Sequence, residues 1–228
     1  MSGGALGDLL PLAMVIALSP IPIVACILML FSPHGRRNGL AFLVGWVAGI
    51  TVVTVAIRLL ADATGGDETT SATGAAVTDV VVLVLGIVLL GLAVKGWRGR
   101  PAPDAEVPLP SWMDSIDSFA PSKALGLGVV LSAANPKNLT MAVAAGVVMS
   151  EAVATGADPW VLEALFVILA SSSVGALVVY DLVGGAGARQ RMETWRTWLV
   201  ANNAAIMAVL LVVIGVKLFG SGLDALLG

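Results

Sequence analysis

The sequence predicts an all-α integral membrane protein: six transmembrane helices in two inverted three-helix repeats, each repeat beginning with a proline-broken helix. Three observations predict this. Of 228 residues, 58% are hydrophobic and 12% charged, about half the charge of a soluble domain. The apolar residues fall into six runs near the ~20 residues that cross a bilayer. Prolines sit inside the first and fourth runs, and the leading ones, Pro20 and Pro136, are 116 positions apart, about half the chain.

The runs are Leu9–Phe31, Asn38–Leu60, Val77–Trp97, Ala124–Met149, Trp160–Val183 and Val200–Phe219. The first has no basic residue before it and exceeds a signal-peptide core, so it is expected to be a retained span. It contains Ser19-Pro20-Ile21-Pro22. Proline lacks an amide donor and keeps the residue before it extended, so the helix should break at Ser19. The turn after it carries His34, Arg36 and Arg37. The second run has Gly45 and Gly49, the third Gly86 and Gly91, and the fifth the small stretch Ser171 to Gly175. Small residues let helices approach closely in lipid, and packing is their default role.

The fourth run carries the costliest residues: Asn135, Pro136, Lys137 and Asn138. Lys137 lies about fourteen residues into its run, on the order of 20 Å deep. Snorkelling serves lysines near span ends, so one at this depth points to a binding or transport role. Its partner stays open, since Glu163 and Asp181 lie near opposite ends of the fifth run. An unwound turn at Asn135-Pro136 could present free carbonyls to a ligand, or be a packed kink. Ser19, Pro20 and Pro22 carry the same two readings. Secondary candidates are Ser171, Ser172, Asn202, Asn203, Arg36 and Arg37.

Basic residues set the orientation. Nine of twelve Lys and Arg fall in the loops between runs one and two, three and four, and five and six; Arg58 and Lys217 mark the opposite side. The positive-inside bias places those three loops in the cytoplasm and both termini outside the inner membrane. Three spans per half make the halves inverted, with a site at their interface near the midplane. The expected division is 1–97 for the first repeat, 98–122 for a cytoplasmic linker and 123–228 for the second repeat. The linker begins with Pro101, Pro103, Pro108 and Pro110. Its Trp112, Met113, Ile116 and Phe119 then share a helical face, as in an interfacial amphipathic helix. The loop Ala63 to Ala76 is expected to be flexible and to lie outside.

Other chemistry is weakly supported. Cys26 is the sole cysteine, so no internal disulfide forms. His34 is the sole histidine, without a second metal-type ligand near it, so neither a metal site nor a Ser-His-Asp set is expected. There is no phosphate-binding glycine loop. The expectation is a non-enzyme without a cofactor and without a nucleic-acid partner.

The stretch Trp112-Met113, Ile116-Asp117-Ser118-Phe119, Lys123-Ala124-Leu125-Gly126-Leu127-Gly128 and Asn135-Pro136-Lys137-Asn138-Leu139 resembles the actinobacterial GAP/Sap proteins. These are peptidoglycolipid- and sulfolipid-addressing membrane proteins, similar at superfamily level to the LysE exporters. The Ser32-Pro33-His34-Gly35-Arg36-Arg37 turn fits too. The resemblance implies six spans and a secondary transporter or flippase-like component that exports an amphipathic cell-envelope lipid or glycolipid. Only the Asn-Pro-Lys positions carry over as site residues. Two alternatives stand beside it: a LysE-type exporter of a small polar solute, amino acid or cation, and a non-transporting scaffold for envelope-lipid assembly. The expected partners are the envelope lipid, surrounding membrane lipids, a second copy of the chain and envelope-synthesis proteins.

Overall fold

The computed structural model describes residues 3–65, 72–100, 111–154 and 156–227. Among these the chain is all helical. The helices are α1 (Gly3–Ala17), α2 (Pro20–Phe31), α3 (Gly35–Gly65), α4 (Ala72–Arg98), α5 (Pro121–Val129), α6 (Pro136–Ala154), α7 (Pro159–Ala170) and α8 (Ser172–Leu227). A 3-10 turn covers Ser111–Ser118 and a π turn covers Val130–Ala134. Each of the six apolar runs lies in these helices.

Four helices restart by one local rule. Ser19, Ala120, Asn135 and Asp158 are extended N-cap residues, each followed by proline at the first helical position. Proline suits that position because its missing amide would be unbonded there anyway. Asp158 caps fully, accepting from the amides of Trp160 (2.8 Å) and Val161 (3.0 Å). The break in the first run bends α1 against α2 by 50°. A second bend, of 60°, separates α7 from the Ser172–Gly185 limb of α8 at Ser171. It has no proline, and the sequence did not announce it. α8 turns again at Gly185 (φ 58°, ψ −153°), a conformation that glycine alone adopts readily. This corner brings Arg189 to 3.6 Å from buried Asp181.

Among the described residues two helices, Gly35–Ala63 and Gly187–Asp224, are long and apolar enough to cross a membrane unaided, and there are up to four candidates if each bent pair is one span. The chain is therefore membrane-embedded. The count differs from six partly because the fourth run is cut by the π turn and Asn135, leaving the apolar helical piece Pro121–Ala134 short.

The chain forms two compact units, Met1–Asp62 with Pro108–Val200, and Ala63–Val107 with Ala201–Gly228. They interleave in sequence, whereas the division expected above is sequential. In the first unit, Phe42 and Trp46 stack at 6.2 Å in a core with Ile16, Met29, Ile50, Met141, Met149 and Phe166. Glycines set the helix spacing there. A Cβ on Gly45 would meet the Leu125 carbonyl oxygen at 2.0 Å, and one on Gly49 the Ser132 hydroxyl at 2.0 Å. In the second unit α4 runs antiparallel to the last limb of α8, with Gly86 against the Phe219 backbone and Gly222 against Leu83. Gly91 and Gly175 face open space, so the packing reading fails for those two.

The linker expectations fall partly outside the description. Residues 101–110, with their four prolines, and residues 66–71 of the expected outer loop lie outside the described residues, as do the side chains of Trp112, Asp114 and Asp117. Within Ser111–Ser118, Met113 and Ile116 are buried and the turn packs on α2. Asn38 ties its end down, its side-chain amide donating to the Phe119 carbonyl at 2.9 Å.

Candidate functional site

The broken helices meet in the first unit. In α1 the Ser19 amide bonds to Ile16 O (3.2 Å), one residue short of the α-helical acceptor, Val15 O. Pro20 and Pro22 supply no amides. The shifted Ser19 bond leaves Val15 O without its helical donor, and Ala17 is the last residue of α1, so both carbonyls need partners from elsewhere; an unsatisfied carbonyl in an apolar setting costs several kcal/mol.

Both partners come from other breaks. The Lys137 ammonium donates to Val15 O at 2.6 Å and also to the Ser19 hydroxyl. The Ser173 hydroxyl, two residues past the α7–α8 bend, donates to Ala17 O at 2.5 Å. The Ser19 hydroxyl in turn has two acceptors for its single proton, Asn138 Oδ1 at 3.2 Å and Val15 O at 3.3 Å. Three interruptions that lie far apart in sequence therefore satisfy one another at one point.

The second break explains why Lys137 points there. Asn135 accepts from the Lys137 amide at 3.1 Å, an N-cap bond to the second helical position. This fixes the first turn of α6 and aims the lysine at α1. Asn138 donates to Leu131 O at 2.9 Å, filling a carbonyl of the π turn that precedes Pro136. Such turns recur at functional sites.

Lys137 is 8% exposed and forms no ion pair among the described residues. Neither acid of the fifth run is its partner. Glu163 accepts from Thr54 Oγ1 at 2.5 Å, and Asp181 faces Arg189. Both of its acceptors are neutral oxygens, and no carboxylate faces it among the described residues.

The remaining candidates sort cleanly. Ser19, Pro20, Pro22, Asn135, Pro136, Lys137 and Asn138 belong to the two breaks. Ser171 is buried with a hydroxyl that has no partner among the described residues, while Ser172 is exposed. The neighbour that reaches the first break is Ser173, which lies within the small stretch Ser171 to Gly175 but was not among the site candidates. Arg36 and Arg37 are exposed at the start of α3. Asn202 and Asn203 belong to the second unit, half-buried.

Beside the meeting point the first unit has a recess of about 300 Å³ lined by Ile23, Ser173, Ala176, Leu177, Tyr180 and Trp195. Its walls are almost wholly apolar. Tyr180 and Trp195 pack at 5.4 Å, and Arg191 donates to the Tyr180 hydroxyl at 3.2 Å. The recess thus runs from Ser173, at the break, to an aromatic pair with a cation beside it.

Interrupted apolar helices that meet at a buried lysine characterise this chain as a membrane-embedded, all-helical protein among the described residues. The chain belongs to the family described as Sap, sulfolipid-1-addressing protein, whose model matches residues 9–224. No curated protein and no solved structure matches the chain.

Proposed function

We propose that this protein is a secondary transporter or flippase-like component that moves an anionic amphipathic envelope lipid across the inner membrane, with Lys137 receiving the headgroup. The observation that carries this reading is the Lys137 ammonium, buried among broken helices and held by neutral oxygens without a carboxylate. A buried charge is retained at a cost, and in membrane proteins it marks a pathway or ligand site. An anionic headgroup would supply the missing countercharge. The adjoining apolar recess suits an acyl chain, which favours a lipid over a small polar solute. The family description, sulfolipid-1 addressing, agrees with an anionic lipid cargo.

The architecture we propose is six spans in two inverted repeats, termini outside. It is supported by how the runs divide between the compact units. Runs one and two of the first half, and four and five of the second, fall in the first unit; runs three and six contribute to the second unit. Corresponding runs thus play corresponding parts, and runs one and four each restart at an N-cap and a proline. Rocking of one repeat against the other would open the site alternately to the two sides. The bend at Ser171 has no counterpart in α3, so the repeats have diverged. On this reading the chain is a carrier and not an enzyme, and kinship with the LysE exporters would lie in the fold.

The test is a lipid analysis of the outer leaflet in cells with and without the protein. The reading expects one class of anionic envelope lipid to be depleted outside and retained inside when the protein is removed. Unchanged leaflet composition would exclude it.

A further inference from the structure

A second polar cluster lies in the first unit, away from the breaks. Thr54 and Arg58 stand one turn apart on α3, and Trp160 and Glu163 one turn apart on α7. They pair as two antiparallel rungs. Thr54 Oγ1 donates to Glu163 Oε1 at 2.5 Å, and the Arg58 guanidinium lies 5.7 Å from the centre of the Trp160 ring. Arg58 also reaches along its own helix to Asp62, at 3.0 Å. Ser150, near the end of α6, donates to the other oxygen of Asp62.

Two buried atoms of this cluster have no partner among the described residues: Oε2 of Glu163 and Nε of Arg58. Glu163 is 5% exposed and Arg58 6% exposed. Arg58 is close enough to Glu163 to interact with it electrostatically. One guanidinium is thus within electrostatic reach of two carboxyl groups and bonds to one of them. Arginine stays protonated throughout. With Glu163 neutral, Arg58 and Asp62 cancel and the buried cluster carries no net charge. With Glu163 ionised, it carries one uncompensated negative charge, which burial penalises unless the guanidinium turns toward it.

We propose that Glu163 is a proton-binding site that couples transport to a proton gradient. The carboxylate takes one proton from water and becomes a carboxylic acid that keeps its Thr54 contact, with Arg58 on Asp62. On losing that proton it draws Arg58 across, so that Nε meets Oε2 and the Asp62 bond loosens. Because Arg58 and Thr54 lie on α3 and Glu163 on α7, the exchange changes how these two helices are tied. The other charged groups on elements packed here are Asp8 of α1, Glu151 at the end of α6, and the N-cap Asp158; all are exposed. Lys137 of α6 is committed to the break.

The coupling role rests on the transport reading, but the titration does not, and the two can be tested apart. Infrared difference spectra of the purified protein in lipid nanodiscs, between acid and alkaline buffer, should contain a carboxylic C=O band that Glu163→Gln removes. Thr54→Val should keep that band but shift it, because the hydrogen bond is lost. Glutamine preserves shape and the Thr54 contact; Glu163→Asp, which keeps a carboxyl, gives a second check, with its own displaced band. A spectrum unchanged by Glu163→Gln would overturn the proposal. In liposomes containing a labelled anionic lipid, an imposed pH gradient should speed lipid movement by the wild type and have no such effect on Glu163→Gln. Wild-type movement indifferent to the gradient would overturn the coupling role and leave the transport reading standing. A titrating Glu163 in a protein that moves no lipid would support the site and sink the transport reading.

Discussion

At the scale of single residues, Lys137 decides most. Its depth in an apolar run was legible because lysine mid-span is rare and expensive. What it bonds to was not, because Val15 O is freed by a helix break 122 residues away. Arg58, read in the sequence only as a span-end marker of topology, is also buried against α7, a contact the sequence did not disclose. The structure also fixes what removal of Lys137 should do. If the lysine neutralised a buried acid, Lys137→Met would leave an unpaired charge and cost roughly 3–5 kcal/mol. Its acceptors are instead a carbonyl and a hydroxyl, which retain a bond to each other at 3.3 Å. Loss of charge-assisted hydrogen bonds, worth about 1.5–3 kcal/mol each, is offset by relief of burying the ammonium. Lys137→Met should therefore fold and melt close to the wild type, within about 2 kcal/mol by that balance. Thermal unfolding in detergent checks it, and a protein that fails to accumulate would point to an unseen acid.

At the scale of elements, the breaks at Ser19 and Asn135 followed directly from the prolines after them; the restart at Asp158 obeys the same chemistry but was not read from the sequence. The π turn before Asn135 and the bend at Ser171 left no such mark; both come from tertiary packing around the break. Glycine spacing was half legible. The small-xxx-small pair Gly45 and Gly49 predicted close approach correctly, but Gly91, given the same packing role without that spacing, faces open space. The difference makes a paired test. In an open helical position Gly→Ala gains up to about 1 kcal/mol of helix propensity. At Gly45 the added methyl would meet the Leu125 carbonyl at 2.0 Å, and forcing backbones apart costs about 1–3 kcal/mol or more. Gly45→Ala should lower the melting temperature and Gly91→Ala should hold or raise it. Equal effects at the two sites would contradict the packing described here.

At the scale of the whole molecule, composition alone gave the membrane class, and the lengths of the apolar stretches gave six candidate runs. How those runs divide into two interleaved units was not legible, because each unit joins segments more than forty residues apart along the chain. The orientation comes from basic residues and is open to direct measurement. Cys26, the one native cysteine, is fully buried, so the background for thiol labelling is low. Cysteines introduced at Arg100 and Arg191 should react with a membrane-impermeant reagent only after the cells are opened, and one introduced at Asp224 should react in intact cells. Labelling of position 100 in intact cells would reverse the orientation and with it the direction of transport.

The central claim is that the lysine held by the broken helices receives an anionic headgroup. It is tested most directly by purified protein in liposomes carrying labelled lipids, one sulfated and one zwitterionic, with movement between leaflets followed for wild type, Lys137→Met and Lys137→Arg. The wild type should move the sulfated lipid in preference. Lys137→Met should lose roughly tenfold or more of that movement, the equivalent of one charge-assisted bond of at least ~1.4 kcal/mol. Lys137→Arg keeps the charge on a bulkier, planar group and should retain part of it. A well-folded Lys137→Met protein that moves the sulfated lipid at the wild-type rate would contradict the claim.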